Sequence, residues 1–291
     1  MQGRKGSRRW MLWLGWMAVV GASLLTLTMT VGQRINDEVK AKQSLNTLGR
    51  RQVRLILIEP HYGRTGSVAR GVSDDGSVIA GHSLNAQGGD PQQWDQNTER
   101  AFRWTPSSGT QDLGSFGLER TGVNAISGDG RVIVGYVYVG SYAWHPFRWT
   151  PETGMQDLGT LGTDWSTAHD VSADGSVVVG ASYGYCGLGY WGVFAWRWTA
   201  QTGLVCLGTL PGYMFTHGHG VSADGSIVVG ETNRDWAPYW HESEAWRWSE
   251  HTGMEGLGIL PPWQSSSATK VSDDGSTIIG ILLNDYDFED F

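Results

Sequence analysis

Lysine is almost missing from the body of this 291-residue chain: beyond residue 50 there is one, Lys270. The first 50 residues carry eight Lys/Arg against two Asp/Glu, and the remaining 241 carry 13 against 27. A surface this acidic repels a phosphate backbone, which excludes nucleic acid as a partner. Helical apolar periodicity is scarce too, so most of the chain reads as strands and turns. Catalytic signatures are few. No Gly-x-Ser-x-Gly elbow stands at a strand-to-helix turn. No Asp-x-Asp-x-Asp run accompanies the many Asp-Gly pairs, so turn chemistry explains them better than calcium. No metal site and no cofactor is expected. The only two cysteines, Cys186 and Cys206, fall in a loop and a strand of one repeat. Outside the cytoplasm a bridge between them is chemically allowed, and it would pin an aromatic loop to an outer strand.

The chain has, instead, a repeat. Val-Ser-x-Asp-Gly-Ser, three apolar residues and Gly recur in five copies, beginning at Val72, Ile126, Val171, Val221 and Val271, at spacings of 54, 45, 50 and 50 residues. A period near 50 marks an array of one supersecondary unit. Asp-Gly flanked by β-branched residues signals a hairpin. The run Val177-Val178-Val179 is apolar at consecutive positions, as in a strand covered on both faces. A second hairpin follows in four repeats, through Phe102-Arg103-Trp104, Phe147-Arg148-Trp149, Trp196-Arg197-Trp198 and Trp246-Arg247-Trp248. Each unit thus holds four antiparallel strands, and such blades set radially make a β-propeller. The prediction is an all-β propeller of about five four-stranded blades over residues 52–291. Val53–Ile58 and Tyr286–Phe291 are the candidates to close the ring. If Thr105 and Thr110 close the second hairpin, Arg103 faces Asp112 and Arg148 faces Asp157.

Residues 1–32 read as an addressing segment. Arg4, Lys5, Arg8 and Arg9 precede an uncharged run over 10–31, long enough as a helix to cross a bilayer. Trp10, Trp13 and Trp16 suit its interfacial end. The expectation is a signal-anchor with its N-terminus inside, or else a cleaved signal peptide. Residues 33–51 form a polar tether, and the propeller lies outside the cytoplasm.

Val-Ser-Ala-Asp-Gly-Ser-Val-Val-Val-Gly, Ala-Phe-Arg-Trp-Thr and Gly-Met-Gln-Asp-Leu-Gly-Thr-Leu-Gly together resemble the HAF-repeat family of extracellular bacterial repeat proteins. The match runs from about Leu55 to Gly280. Of the His-Ala-Phe that names the family, only His145-Pro146-Phe147 keeps the His, and there Pro replaces Ala. The resemblance implies an exported bacterial repeat protein and assigns no activity, cofactor or catalytic residue.

Two places could carry function. Blade connections on one face are rich in rings: Trp94, Trp144, Trp165, Tyr190, Trp191, Trp236, Tyr239, Trp240 and Trp263. Amphipathic rings gathered on loops suit stacking on a glycan, or a cell-envelope protein partner, and they also suit packing between blades. The second place is the channel. Two residues before each repeat stand Arg70, Asn124, His169, His219 and Thr269, a polar, partly basic ring able to hold an anion or a carboxylated sugar. The leading reading is a glycan- or envelope-binding protein. A carbohydrate-active hydrolase or lyase on the same face is the alternative, drawing its acids from Asp95, Asp164, Asp235 and Glu242. A purely structural envelope protein is the third.

Overall fold

The structure is a computed structural model that describes residues 56–60, 63–87, 90–117, 120–140, 143–234 and 243–284, with backbone alone over 86–87 and 90–97. The chain divides into two units, Met1–Ile56 and Leu57–Phe291, and every described strand belongs to the second. Among the described residues no helix is long and apolar enough to cross a membrane. The predicted span over 10–31 lies outside them, as do Val53–Leu55 and Tyr286–Phe291.

The fold is all-β. Sheet 1 comprises β1 (Gly66–Val72), β2 (Ile79–Gln87), β3 (Asp90–Thr105) and β4 (Gly109–Asp112). Sheet 2 comprises β5 (Thr121–Ile126), β6 (Ile133–Gly140), β7 (Ala143–Thr150) and β8 (Gly154–Asp157). Sheet 3 comprises β9 (Gly162–Val171), β10 (Val177–Tyr185), β11 (Trp191–Thr199) and β12 (Gly203–Cys206). Sheet 4 comprises β13 (Phe215–Val221), β14 (Ile227–Asn233), β15 (Glu244–Ser249) and β16 (Gly253–Gly256). Sheet 5 has two described strands, β17 (Ser265–Val271) and β18 (Ile278–Leu283). Each four-stranded sheet is an antiparallel meander in chain order, and a single parallel pairing, Trp144 with Trp165, also joins sheets 2 and 3. The four-stranded repeat is therefore present, while ring closure is not seen among the described residues. Residues 57–60 form no strand. The carbonyl of Ile58 instead accepts from Ser67 Oγ of β1 at 3.0 Å, and that of Glu59 from Thr110 Oγ1 of β4 at 3.1 Å, so the end of the predicted closing strand lies beside sheet 1.

The hairpin signal works through its side chains. In the third repeat Ser172 Oγ donates to Asp174 Oδ1 (2.7 Å) and accepts from Val177 N–H (3.0 Å), while Asp174 Oδ1 also accepts from Ser176 N–H (2.9 Å). The other four repeats make the same three bonds. Gly175 has φ +71°, and a Cβ there would strike the Val132 side chain of the preceding repeat. Gly130, Gly225 and Gly275 lean in the same way on Val78, Val177 and Ile227. Backbone bonds then run from turn to turn: Asp74 N–H to Gly128 O (2.8 Å), Asp129 N–H to Ala173 O (3.2 Å), Ala173 N–H to Ala223 O (3.0 Å) and Ala223 N–H to Asp273 O (3.1 Å).

The core lies between consecutive sheets. Strand alternation divides each apolar run between two interfaces. Val178 packs with Val132, Val134 and Trp196 toward sheet 2, and Val177 and Val179 pack with Val228 and Trp246 toward sheet 4. The array's ends lack this cover: Ile279 of β18 is 61% exposed and Val72 of β1 is 57% exposed.

The second hairpin differs from expectation by one residue. Thr105 pairs with Gly109, not Thr110, so Phe102 faces Asp112 and Arg103 faces Gln111; Phe147 faces Asp157 and Arg148 faces Gln156. A one-residue slip sends each side chain to the other face. Asp112 accordingly pairs with Arg100 (3.2 Å) and Asp157 with His145 (2.7 Å). Arg148 donates to Gly175 O of the next sheet (3.2 Å), and the Arg197 guanidinium lies over Trp248 of the next sheet at 5.8 Å.

Hydroxyls also cross between sheets. Ala101, Ala195 and Ala245 N–H donate to Thr121 Oγ1, Thr216 Oγ1 and Ser266 Oγ of the following sheet, each at 2.9 Å. In sheet 2 the corresponding residue is Pro146, which has no N–H to give, and Ser166 donates to Ala181 O instead (3.3 Å). Removing a buried acceptor while its donor remains costs about 1–3 kcal/mol. Thr216→Val and Ser266→Ala should each destabilise by that amount, and Ser166→Ala by clearly less. Denaturant titrations of the three variants check this; equal losses would refute it.

Candidate functional site

The five predicted channel residues share one backbone feature. In every inner strand the ladder skips a residue: Ala69 and Gly71 pair across but Arg70 does not, and Asn124, His169, His219 and Thr269 are skipped in the same way. Each is the extra residue of a β-bulge, a device that re-aims a side chain. The glycine that ends each repeat permits it. A Cβ on Gly81, Gly135, Gly180, Gly230 or Gly280 would collide with a carbonyl oxygen of the bulged strand, such as Thr167 O beside Gly180.

Four of the five, Asn124, His169, His219 and Thr269, line one cavity of about 650 Å³. Arg70 is exposed and stands outside its lining. Asn124 Nδ2 donates to Ala168 O (2.7 Å). His169 Nδ1 lies 2.7 Å from Gly218 O, and its Nε2 lies 2.7 Å from Thr167 Oγ1. The carbonyl can only accept, so Nδ1 carries the proton and the hydroxyl donates to Nε2. The rings of His169 and His219 stack at 5.7 Å, and those of His217 and His219 at 6.2 Å. Burial, chiefly, brings His169 and His217 down to about 4, so both are neutral near pH 7. Parallel rings do not converge their nitrogens on one ion, and no metal-holding group of His, Cys, Asp or Glu occurs among the described residues.

Sequence reasoning missed the cavity's carboxylate. Glu231 lines the wall, is 1% exposed, pairs across strands with His217, and has Oε1 3.6 Å from His219 Nε2. Burial pushes its carboxyl up, but the neighbouring His219 and Ser267 outweigh that and the net shift is downward. A signal existed: the residue directly after the repeat's glycine, namely His82, Tyr136, Ala181, Glu231 and Ile281, supplies Tyr136, Glu231 and Ile281 to the same wall. A buried carboxylate there does not suit the anion or carboxylated sugar expected from the ring.

The aromatic positions divide. Trp144 is partly buried, with the Arg120 guanidinium 4.2 Å from its ring and Tyr136 and Tyr138 edge-on at 5.1 and 5.2 Å. Trp165 is partly buried opposite it. Tyr190 is partly buried and packs on Phe194. Trp263 is exposed on the connection before β17. Trp191 is 51% exposed and pairs across β10–β11 with the equally open Tyr185; Tyr183 lies 6.4 Å from the Trp191 ring. The Cys186–Cys206 disulfide, with Cα atoms 5.8 Å apart, ties this hairpin to β12. Trp236, Tyr239 and Trp240 lie outside the described residues, as does the side chain of Trp94. Among the candidate acids, Asp164 is exposed on β9; Asp235, Glu242 and the Asp95 side chain lie outside the described set.

No family model and no curated protein matches the chain. Solved structures do. A putative TolB from Agrobacterium tumefaciens is 16% identical, with 78% of each chain covered and a TM-score of 0.51. TolB from Acinetobacter baumannii is 15% identical over 75% of this chain and 54% of its own, with a TM-score of 0.46. The β-propeller domain of the Trilobed protease from Pyrococcus furiosus is 9% identical over 75% of this chain and 64% of its own, with a TM-score of 0.48. The first of these bears on the fold alone.

The neutral histidines set an acid response. His82, His169 and His217 fall from 6.5 to about 4 in the folded protein, chiefly by burial. The unfolded chain binds more protons between those values. Stability is therefore full above about pH 6.5 and lost as pH falls toward about 4, by on the order of 1 kcal/mol per pH unit per histidine. Asp75 and Asp274, lowered to about 2 by hydroxyl and N–H donors, extend the loss from 3.8 downward. A His169→Gln/His217→Gln variant should show a shallower fall from pH 6.5 to 4 in denaturant melts; an unchanged slope would contradict this origin.

Proposed function

We propose that this chain is an extracytoplasmic binding protein of the bacterial HAF-repeat type, which recognises a glycan through the open aromatic hairpin of β10–β11. The observation that carries the reading is the Tyr185–Trp191 pair, half exposed on a hairpin fixed by a disulfide. Rings held rigidly in water lose little freedom when they stack on a pyranose face. The disulfide favours an oxidising compartment, and residues 10–31 supply the anchor or signal. In this reading β17–β18 is the inner half of a fifth blade of a closed propeller. The apolar residues left open at the array's two ends, Val72 and Ile279, support that completion.

The purified protein should bind a subset of a bacterial glycan array. Trp191→Ala, with an unchanged melting temperature, should weaken that binding by about 2 kcal/mol or more, as loss of an aromatic anchor does. Binding that survives in Trp191→Ala, or none by the unaltered protein, would overturn the proposal.

A further inference from the structure

The central cavity has a chemistry separate from the aromatic hairpin. Its one buried carboxylate, Glu231, has an oxygen, Oε1, without a hydrogen-bond partner, in a side chain that is 2% exposed. The nearest basic group, His219 Nε2, is within ion-pair range at 3.6 Å but beyond hydrogen-bond length. Lys270, the only Lys or Arg among the described lining residues, is already bonded to Asp170 at 3.1 Å. A buried carboxylate oxygen with no hydrogen bond is costly and calls for a donor, best a charged one.

The remaining polar wall is hydroxyl-rich. Thr167, Ser267 and Thr269 stand on inner strands; the protons of Thr167 and Thr269 are given to His169 Nε2 (2.7 Å) and Ile279 O (3.2 Å), which leaves their oxygens as acceptors for ligand hydroxyls. A volume of about 650 Å³ is within the usual range for a small-molecule site. The acidic balance of the domain, 27 carboxylates against 13 bases beyond residue 50, draws cations toward it.

We infer that this cavity binds a hydroxylated primary ammonium of amino-sugar size, its ammonium on the Glu231 carboxylate and its hydroxyls on Thr167, Ser267 and Thr269. Neither Trp191 nor the β10–β11 hairpin takes part, so this site and the glycan platform stand or fall separately.

Calorimetric titration of the full chain with glucosamine, glucose and glucuronate compares one scaffold carrying positive, no and negative charge. Glucosamine should bind at least about tenfold more tightly than glucose, and glucuronate more weakly still. Glu231→Gln should lose about tenfold or more in glucosamine affinity, with little change for glucose. Lys270→Gln, which removes the competing cation and frees Asp170, should move glucosamine affinity upward. No glucosamine binding, equal affinity for the three sugars, or preference for glucuronate would overturn the inference in the unaltered protein, whether or not the variants fold. Glycan-array binding that persists alongside such a failure would leave the aromatic platform intact.

Discussion

The Ser-x-Asp-Gly turn is the constraint on which the rest of the fold depends. Its side chains close the hairpin locally: the serine hydroxyl bridges the aspartate and the second strand's first N–H. Its glycine needs φ near +70°, as at Gly175, and in four of the five turns it also needs the absence of a Cβ, because a valine or isoleucine of the preceding repeat fills that space. Its backbone bonds to the next turn. One short phrase thus fixes strand pairing within a sheet and the approach of sheet to sheet. The apolar run after it can then be shared between two interfaces, which is why residues 132–134 and 177–179 are buried in succession where a wet-faced sheet would alternate.

The same packing leads to the cavity. Once the repeat's last glycine brings its strand against a carbonyl of the inner strand, the ladder cannot stay regular, and the inner strand carries an extra residue. Scaffold and site are therefore not independent. The bulge that the close approach requires also releases one side chain per repeat from the pairing pattern, and four of the five converge on the cavity. What differs from sheet to sheet is their chemistry: Arg70, Asn124, His169, His219 and Thr269 occupy equivalent backbone positions, and only four of them line the cavity.

Much of this was legible in the sequence because turns speak through side chains that sit close together in the chain. Strand order within a sheet, the channel positions and the doubly covered strands can all be read from the spacing around Asp-Gly. The register of the second hairpin could not, because Thr-x-x-x-Gly permits closure at Thr105–Gly109 or one residue later, and the choice depends on hydroxyl bonds across the loop such as that from Ser108 N–H to Thr105 Oγ1 at 3.1 Å. Glu231 was hidden for a different reason. Its equivalents are His82, Tyr136, Ala181 and Ile281, and a position so varied carries no repeat signal, although its place directly after the glycine marks its direction. The disulfide was readable only as a chemical allowance, since the distance between Cys186 and Cys206 depends on how the β10–β11 hairpin folds back.

That disulfide occupies a position with a different duty elsewhere. Asp112 and Asp157 end the outer strand and accept from the turn N–H two residues on, Gly114 at 2.5 Å and Gly159 at 2.8 Å. In sheet 4 the position is Gly256, and Glu244 reaches across from β15 to accept from Gly258 N–H at 3.1 Å. A Cβ at 256 would meet that carboxylate, so glycine there and glutamate at 244 belong together. In sheet 3 the position is Cys206, whose sulfur is a poorer acceptor, 3.4 Å from Gly208 N–H. Its bond to Cys186 closes a loop with a sequence separation of 20 residues, a constraint on the order of 3 kcal/mol in the chain-entropy view. A capping carboxylate would hold the turn alone. The cysteine holds the turn weakly and the hairpin strongly, and that hairpin is the one that presents Tyr185 and Trp191 to solvent.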